Sequence, residues 1–114
     1  MEDINLNFAD YKTILSHKGS ILGEVSSCKI SDFMNCLDKS IKDSMPKAKG
    51  VLINFGIHKD QTLFSINDLI SEIHDFLNED AEIIFATEQI SSNDKEIVTY
   101  QIIMTGIESP KVKE

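Results

Sequence analysis

The sequence contains no arginine, only five glycines and two cysteines, and no long apolar run. All 11 basic side chains are lysines, so the bidentate guanidinium forks with which enzymes usually clamp phosphates and carboxylates are missing. The few glycines are scattered and do not form a phosphate-binding loop. No segment approaches the roughly 18 apolar residues that a membrane span requires. These absences disfavour a typical small-anion enzyme and an integral membrane protein.

The charge balance is strongly acidic, with 19 acidic residues, a net charge of -8 and a pI near 4.7. Duplex nucleic acids and anionic membrane surfaces would be repelled by this field, so we expect neither nucleic-acid binding nor direct membrane binding. The N-terminal part lacks the basic head and apolar run of a secretory signal, which predicts a cytoplasmic protein with reduced thiols. Cys28 and Cys36, without a CxxC motif or clustered histidines, are expected to be ordinary thiols.

Apolar periodicity predicts a single domain in which helices and strands alternate, over 114 residues with 41% hydrophobic composition. Ser31 and Ser65 are candidate N-caps of the second and third helices. The order α-β-α-β-α-β-β, ending in a hairpin, predicts an α/β (α+β) fold with helices packed on one mixed sheet. The predicted helices cover 8–17, 30–45 and 66–78, and the predicted strands lie near 21–25, 51–57, 83–86 and 97–104.

The three histidines have no metal-ligand spacing, and no nucleophile–base pair accompanies them. His58 follows the end of a predicted strand, where active-site residues of α/β sheets often lie, but the sequence offers it no partner. His74 falls off the apolar stripe of its helix and is expected to be solvated. We therefore expect no metal site.

The segment Asn5-Leu6-Asn7-Phe8-Ala9-Asp10-Tyr11 concentrates polar side chains just before and inside the first predicted helix. Asn and Asp favour helix starts, so an N-capping turn is one interpretation of this pattern. The other interpretation depends on a resemblance that extends over nearly the whole chain.

Three stretches resemble the C-terminal domain of FtsZ, the tubulin-like GTPase of bacterial cell division. The first, Asn5 to Ile14, is similar to the family's synergy loop, Asn-x-Asp-Phe-Ala-Asp-Val-x-Thr, and to the helix that follows it. The second, Ala48 to Asn54 with Thr62-Leu63-Phe64 downstream, is similar to the AxGVLIN strand and the TLFE turn. The third, Ala81 to Thr87 followed by Thr105-Gly106-Ile107, is similar to ANIIFGT and the terminal ATG. The stretches occur in family order with compatible spacing.

The resemblance implies a four-stranded mixed sheet, with a synergy loop at 1–10, an α/β domain at 11–107 and a short tail at 108–114. It also implies that Asn5, Asn7 and Asp10 act catalytically on the GTP of a neighbouring subunit. Asn7 stands where the family has Asp.

The same resemblance implies that the partner is an FtsZ subunit or nucleotide-binding domain at the division ring. The 114 residues contain no counterpart of the family's nucleotide-binding domain. The domain alone is therefore expected to bind no cofactor and hydrolyse nothing. It becomes part of a GTPase only when it is joined to, or docked on, a domain that holds GTP.

A different class of function is also compatible with this scaffold, because a fold does not determine a function. The alternative is a free-standing α/β ligand-binding module, or an interaction module whose sheet face or edge pairs with another copy. A stable dimer or trimer in gel filtration would favour this alternative, and a monomer would favour the FtsZ-like domain.

Overall fold

The computed structural model describes residues 8–61, 63–91 and 94–107. A short helix precedes the first strand, three helices lie between the first and third strands, and the last two strands follow in succession. The elements are α1 (Phe8–Leu15), β1 (Ser20–Lys29), α2 (Phe33–Cys36), α3 (Lys39–Ser44), β2 (Gly50–His58), α4 (Leu63–Phe76), β3 (Glu82–Ile90) and β4 (Ile97–Ile107). None of the helices in these described ranges is long and apolar enough to cross a membrane.

The four strands form one mixed sheet in the order β1-β4-β2-β3. β2 pairs with β3 in parallel, while β4 runs antiparallel to both β1 and β2. Val51, Leu52 and Ile53 of β2 are fully buried, as expected for a central strand covered on both faces. The predicted mixed sheet and its buried central strand are confirmed.

The predicted hairpin between the last two strands is wrong, because β3 and β4 are not neighbours in the sheet. β4 instead lies between β1 and β2, so the chain must cross the end of β2 after β3. A hydrogen bond from the side-chain amide of Gln61 to the carbonyl of Lys95 ties this crossing to the turn after β2. A long strand with buried residues along its length gains more by central pairing than at an edge.

The predicted continuous helix over 30–45 is also wrong. The chain forms a 3-10 turn at Ile30–Asp32, then α2, then α3, and ends in a second 3-10 turn at Met45–Lys47. Leu37 leaves the helical path with an extended backbone (φ -64°, ψ 136°). Asp38 is the N-cap of α3, and its side-chain carboxylate accepts a hydrogen bond of 3.1 Å from the backbone N–H of Ser40. A capping Asp in the middle of an apolar stripe therefore divides the helix.

The two predicted serine caps are wrong as well. Ser31 lies within the first 3-10 turn, where no side-chain cap forms, and α4 begins at Leu63, which places Ser65 inside its first turn. The existence of α1, α4 and all four strands is confirmed, with shifts at their ends. Such shifts are usual, because helix ends fray and their boundaries vary by one or two residues.

The two faces of the sheet differ in how they are covered. Side chains alternate along each strand, so one face carries Val51, Ile53 and Phe55 of β2. These residues pack in one core cluster with β4 and with the inner faces of α2, α3 and α4. The buried residues Ile14 and Leu52 lie outside that cluster, at the opposite face, where α1 contacts β2 and β4.

Candidate functional site

The C-terminal end of α1 is fixed to the sheet. Ile14 is fully buried, and its backbone carbonyl accepts a hydrogen bond of 2.5 Å from the buried hydroxyl of Thr105 on β4. The last carbonyls of a helix have no intrahelical partner, so Thr105 satisfies a group that burial would otherwise leave unpaired. Gly50 at the start of β2 permits this approach, because a Cβ there would lie 2.6 Å from the Thr105 hydroxyl and 3.2 Å from the Ile14 carbonyl oxygen.

The N-terminal end of α1 is open to solvent. Phe8, its first residue, is 82% exposed, and Asp10 in the first turn is half-buried. Of the three predicted site residues, Asp10 lies within the described part of the chain. Asn5 and Asn7 lie outside the described residues, so their role stays a prediction. An acidic group in the first turn is favourably placed against the positive end of the helix dipole.

Gly106 lies in β4 at the register shift of the β1–β4 ladder, where Ser20 pairs with Ile107 and Leu22 pairs with Met104. Its φ of +71° lies in the left-handed region that glycine adopts at low cost. A Cβ at this position would also lie 2.7 Å from the Lys49 side chain. The two residues therefore have different structural roles. Thr105 hydrogen-bonds α1 to β4, and the absence of a side chain at Gly106 leaves room for the side chain of Lys49.

A cleft of about 380 Å³ lies beside this anchor, between the segment after α1 and the starts of β2 and β3. Within it, His17 Nε2 is 2.8 Å from the Glu82 carboxylate, but the two groups are not aligned for an N–H hydrogen bond. The pair could not be predicted from the sequence, because nothing in the spacing of His17 and Glu82 indicates that they lie close together.

The other two histidines have local roles. His58 is the last residue of β2, and its Nδ1 accepts a hydrogen bond of 3.0 Å from the backbone N–H of Asp60. His74 is exposed on α4, as predicted. Across the described part of the chain, no three His, Cys, Asp or Glu side chains are grouped in a way that could hold a metal ion.

The fold is that of the C-terminal part of the tubulin-like FtsZ proteins. The structure of FtsZ from M. jannaschii (an empty dimer) superposes with a TM-score of 0.66 and 22% sequence identity, covering 90% of this chain and 32% of that one. A W319Y mutant of the same protein gives a TM-score of 0.67 over 91% of this chain.

The sequence comparisons identify the family. The family model described as "FtsZ family, C-terminal domain" matches residues 31–108. The cell division protein FtsZ of Magnetospirillum gryphiswaldense is 36% identical over 93% of this chain, and that of Rickettsia bellii is 32% identical over 96%. The chain belongs to the FtsZ family and corresponds to its C-terminal domain. It spans about a quarter or less of these relatives, 25% of the Rickettsia protein and 20% of the Magnetospirillum protein.

Proposed function

We propose that this domain acts in cell division by presenting the N-terminal end of α1 to the GTP site of an adjacent FtsZ subunit. The observation that supports the proposal is the asymmetry of α1. Near its C-terminal end Ile14 is fully buried and hydrogen-bonded to β4, while at its N-terminal end Phe8 is 82% exposed and Asp10 is half-buried. A helix held at one end is a rigid support for a contact made by the other end.

The polar residues of the synergy loop would position the attacking water in the neighbouring site. Phosphoryl transfer depends mainly on positioning and electrostatics, which suits the donor and acceptor groups of Asn5, Asn7 and Asp10. Asn7 can hydrogen-bond a water, but a neutral amide can neither take up a proton nor add negative charge. Hydrolysis supported by this loop would therefore be weaker than hydrolysis supported by an Asp at position 7.

GTP in this proposal belongs to the nucleotide-binding domain of the partner subunit. A domain that offers one longitudinal surface and lacks the complementary one would stop a filament from growing, because a heterologous contact propagates only when each subunit carries both surfaces. The added domain would therefore act as a filament cap, located in the cytoplasm at the division ring.

The experiment is a titration of this domain into full-length FtsZ, either of the same organism or of Magnetospirillum gryphiswaldense, with GTP turnover and light scattering as readouts. We expect suppression of polymerisation at sub-stoichiometric domain concentration. The double variant Asn7→Ala/Asp10→Ala should lose the effect, whereas the control Asp75→Ala, an exposed acid on α4, should retain it. No suppression at excess domain, or equal suppression by all three proteins, would refute the proposal.

Replacing Asn7 by Asp in filaments that carry this domain should increase GTP hydrolysis. A positioned general base contributes about 10²–10⁴-fold, so a gain of about tenfold or more is expected. Asn35→Asp adds the same charge on the exposed side of α2 and serves as the matched control. Equal turnover by Asn7→Asp and the parent filament would remove Asn7 from the proposed mechanism.

A further inference from the structure

β1 (Ser20–Lys29) is an edge strand of the sheet and has one free side. It pairs with β4, in a ladder that is regular from Leu22 to Lys29. Within the described part of the chain, no backbone hydrogen bond joins the residues from Ile21 to Lys29 to any segment other than β4. The N–H and C=O groups on the free side of this strand are therefore available to a further strand.

The free side of β1 lacks the features that usually protect an edge strand, which are prolines, outward charges or a covering segment. The strand contains no proline, and its charged residues are Glu24 and Lys29. The Glu24 carboxylate has partners within the domain, the Tyr100 hydroxyl at 2.8 Å and the backbone N–H of Asp38 at 3.2 Å. The residues that follow Glu24 are exposed on both faces of the sheet, and Val25 is 75% exposed.

The other edge strand, β3 (Glu82–Ile90), is protected by charge. It carries Glu82 and Glu88 and has no basic residue of its own. These two residues are an even number of positions apart, so two copies of β3 would bring four carboxylates onto one face of the pair. β1 has one acidic and one basic residue, so two copies of β1 add no net charge to their contact. For a second copy of a chain with a net charge of -8, the favourable edge is therefore β1.

We propose that the free side of β1 is a dimerisation surface and that its partner is β1 of a second copy of this chain. The two strands pair in antiparallel orientation about a two-fold axis, as in an isologous interface. The pairing joins the two four-stranded sheets into one continuous sheet, and backbone hydrogen bonds supply the contact. This inference goes beyond the proposed function and does not depend on it.

Symmetry and the pleat restrict the register of this pairing. Opposite residues must lie on the same face, so the two-fold axis passes through a residue and not between two residues. Centring the pair on Glu24 would place two carboxylates opposite each other, and centring it on Ser26 would place each Val25 opposite a serine. Centring on Val25 places the two exposed valines opposite each other, where an apolar cross-strand pair is stabilising. We therefore assign the axis to Val25.

The dimer is expected to be weak. Each chain contributes at most the ten residues of β1, whereas a standard stable interface uses roughly 20–30 residues a side. The dissociation constant should therefore lie in the micromolar to millimolar range, and a dilute sample should be monomeric. This behaviour differs from the stable dimer or trimer that the free-standing alternative module would give.

The test is sedimentation velocity of the full chain from about 10 μM to about 1 mM, with dithiothreitol present to exclude disulfide-linked dimers. The wild type should shift from monomer to dimer as its concentration rises. Val25→Lys and Val25→Glu should each remain monomeric, because each places like charges opposite each other at the axis. An equimolar mixture of these two variants should dimerise again. Phe64→Lys and Phe64→Glu, at a similarly exposed apolar residue on α4, are the matched controls and should dimerise like the wild type.

Amide hydrogen exchange of the wild type gives a second readout that needs no variant. Exchange in β1 should slow as the protein concentration rises, while exchange in β3 should not change. Wild-type protein that stays monomeric at about 1 mM would overturn the proposal. It would also be overturned by Val25 variants that dimerise alone as well as the wild type, by a mixture of them that stays monomeric, or by dimers in which β1 gains no protection.

Discussion

The two faces of the sheet are built differently. On the face that meets α2, α3 and α4, the ring of Phe33 packs edge-on against Tyr100 and Phe55, with centroids 4.9 and 5.7 Å apart. On the opposite face α1 covers the end near Gly50 and Thr105, while Val25 on β1 is 75% exposed. One face is a closed hydrophobic core, and the other carries a small buried contact beside exposed apolar surface.

This difference suggests that one face mainly stabilises the domain and that the other carries its proposed contacts with a partner. Burial of apolar surface is the main favourable term in folding, so the helix-covered face should supply most of the free energy of unfolding. The α1 face contributes the buried hydrogen bond from Thr105 to Ile14 and the apolar contacts of Ile14 and Leu52, and it is the face to which the proposed catalytic segment is attached. Changes on the first face should unfold the domain, whereas changes on the second should alter its contacts with only a modest loss of stability.

Phe33→Ala should cause the largest loss of stability, because this ring is 1% exposed and contacts two other aromatic rings. Truncating a buried Phe leaves a cavity and costs about 3–5 kcal/mol in the free energy of unfolding. Phe64→Ala removes an equal side chain that is 82% exposed on α4 and should change stability by less than about 0.5 kcal/mol. Urea denaturation measures both values. Comparable losses in the two variants would contradict the closed-core description.

Tyr100→Phe should cause the second-largest loss of stability. This substitution keeps the ring and removes one hydroxyl. That hydroxyl donates a 2.8 Å hydrogen bond to the Glu24 carboxylate on β1. Its loss leaves a half-buried carboxylate without this donor and should cost about 1.5 kcal/mol. Tyr11→Phe on α1 is the matched control, expected to change stability by less than about 0.5 kcal/mol.

The contact between Tyr100 and Glu24 predicts that the stability of the domain depends on pH. Burial, reinforced by Glu24, raises the pKa of Tyr100 above its ordinary value of 10.0. The folded state therefore holds this proton more tightly than the unfolded state. The contribution to stability is complete below pH 10 and is lost as the pH rises above it. Tyr100→Phe should show a shallower alkaline decline than the wild type in urea denaturation, and parallel declines would show that Tyr100 does not titrate in this way.

On the other face, Thr105→Val should have a smaller effect on stability and a local effect on α1. Valine preserves the branched shape but leaves the buried Ile14 carbonyl without its hydroxyl donor, which should cost about 1 kcal/mol. Thr99→Val, on the same strand and face but half-exposed, is the control and should be close to neutral. Amide hydrogen exchange should accelerate in α1 for Thr105→Val alone. Unchanged exchange in α1 would mean that this bond does not anchor the helix.

The elements with a strong local signal could be predicted from the sequence. The apolar run of β2 and the regular stripe of α4 each determine their structure through burial, so their positions follow from periodicity alone. The predicted last strand ends at Met104, whereas β4 continues through Thr105 and Gly106 to Ile107, and Gly106 has a positive φ. The predicted helix over 8–17 includes Asp10, and the structure places Asp10 in the first turn of α1.

The errors arose where tertiary structure or a single cap overrides the local pattern. Sequential strands usually pair, so the hairpin was a reasonable expectation, yet β4 pairs with β1 and β2 because of long-range contacts that no local window contains. The division of the predicted helix at Leu37 depends on the cap that Asp38 provides for α3, which the apolar stripe over 30–45 does not reveal. The spacing of His17 and Glu82 gives no sign of their contact either.

Among the changes on the helix-covered face, loss of the Asp38 cap, which divides the predicted helix, should lower stability least. Asp38 accepts hydrogen bonds from the backbone N–H and the hydroxyl of Ser40, at 3.1 and 2.5 Å, and its own N–H donates to Glu24 at 3.2 Å. The two bonds from Ser40 lower the pKa of Asp38 below its ordinary value of 3.8. Its contribution to stability is therefore present above pH 3.8 and is lost as the pH falls below that value.

Asp38→Ala should lower Tm slightly at pH 7, and the difference from wild type should vanish in acid. Asp38→Asn, which retains an acceptor oxygen, should lose less than the alanine variant, because Asn is also a favoured N-cap. Asp43→Ala removes an exposed acid whose partner is Lys39 at 3.6 Å, and it should change Tm least, since exposed pairs of this type contribute little. If Asp38→Ala and Asp43→Ala shift Tm equally at pH 7, the cap does not hold α3 in place, and the break at Leu37 must come from core packing alone.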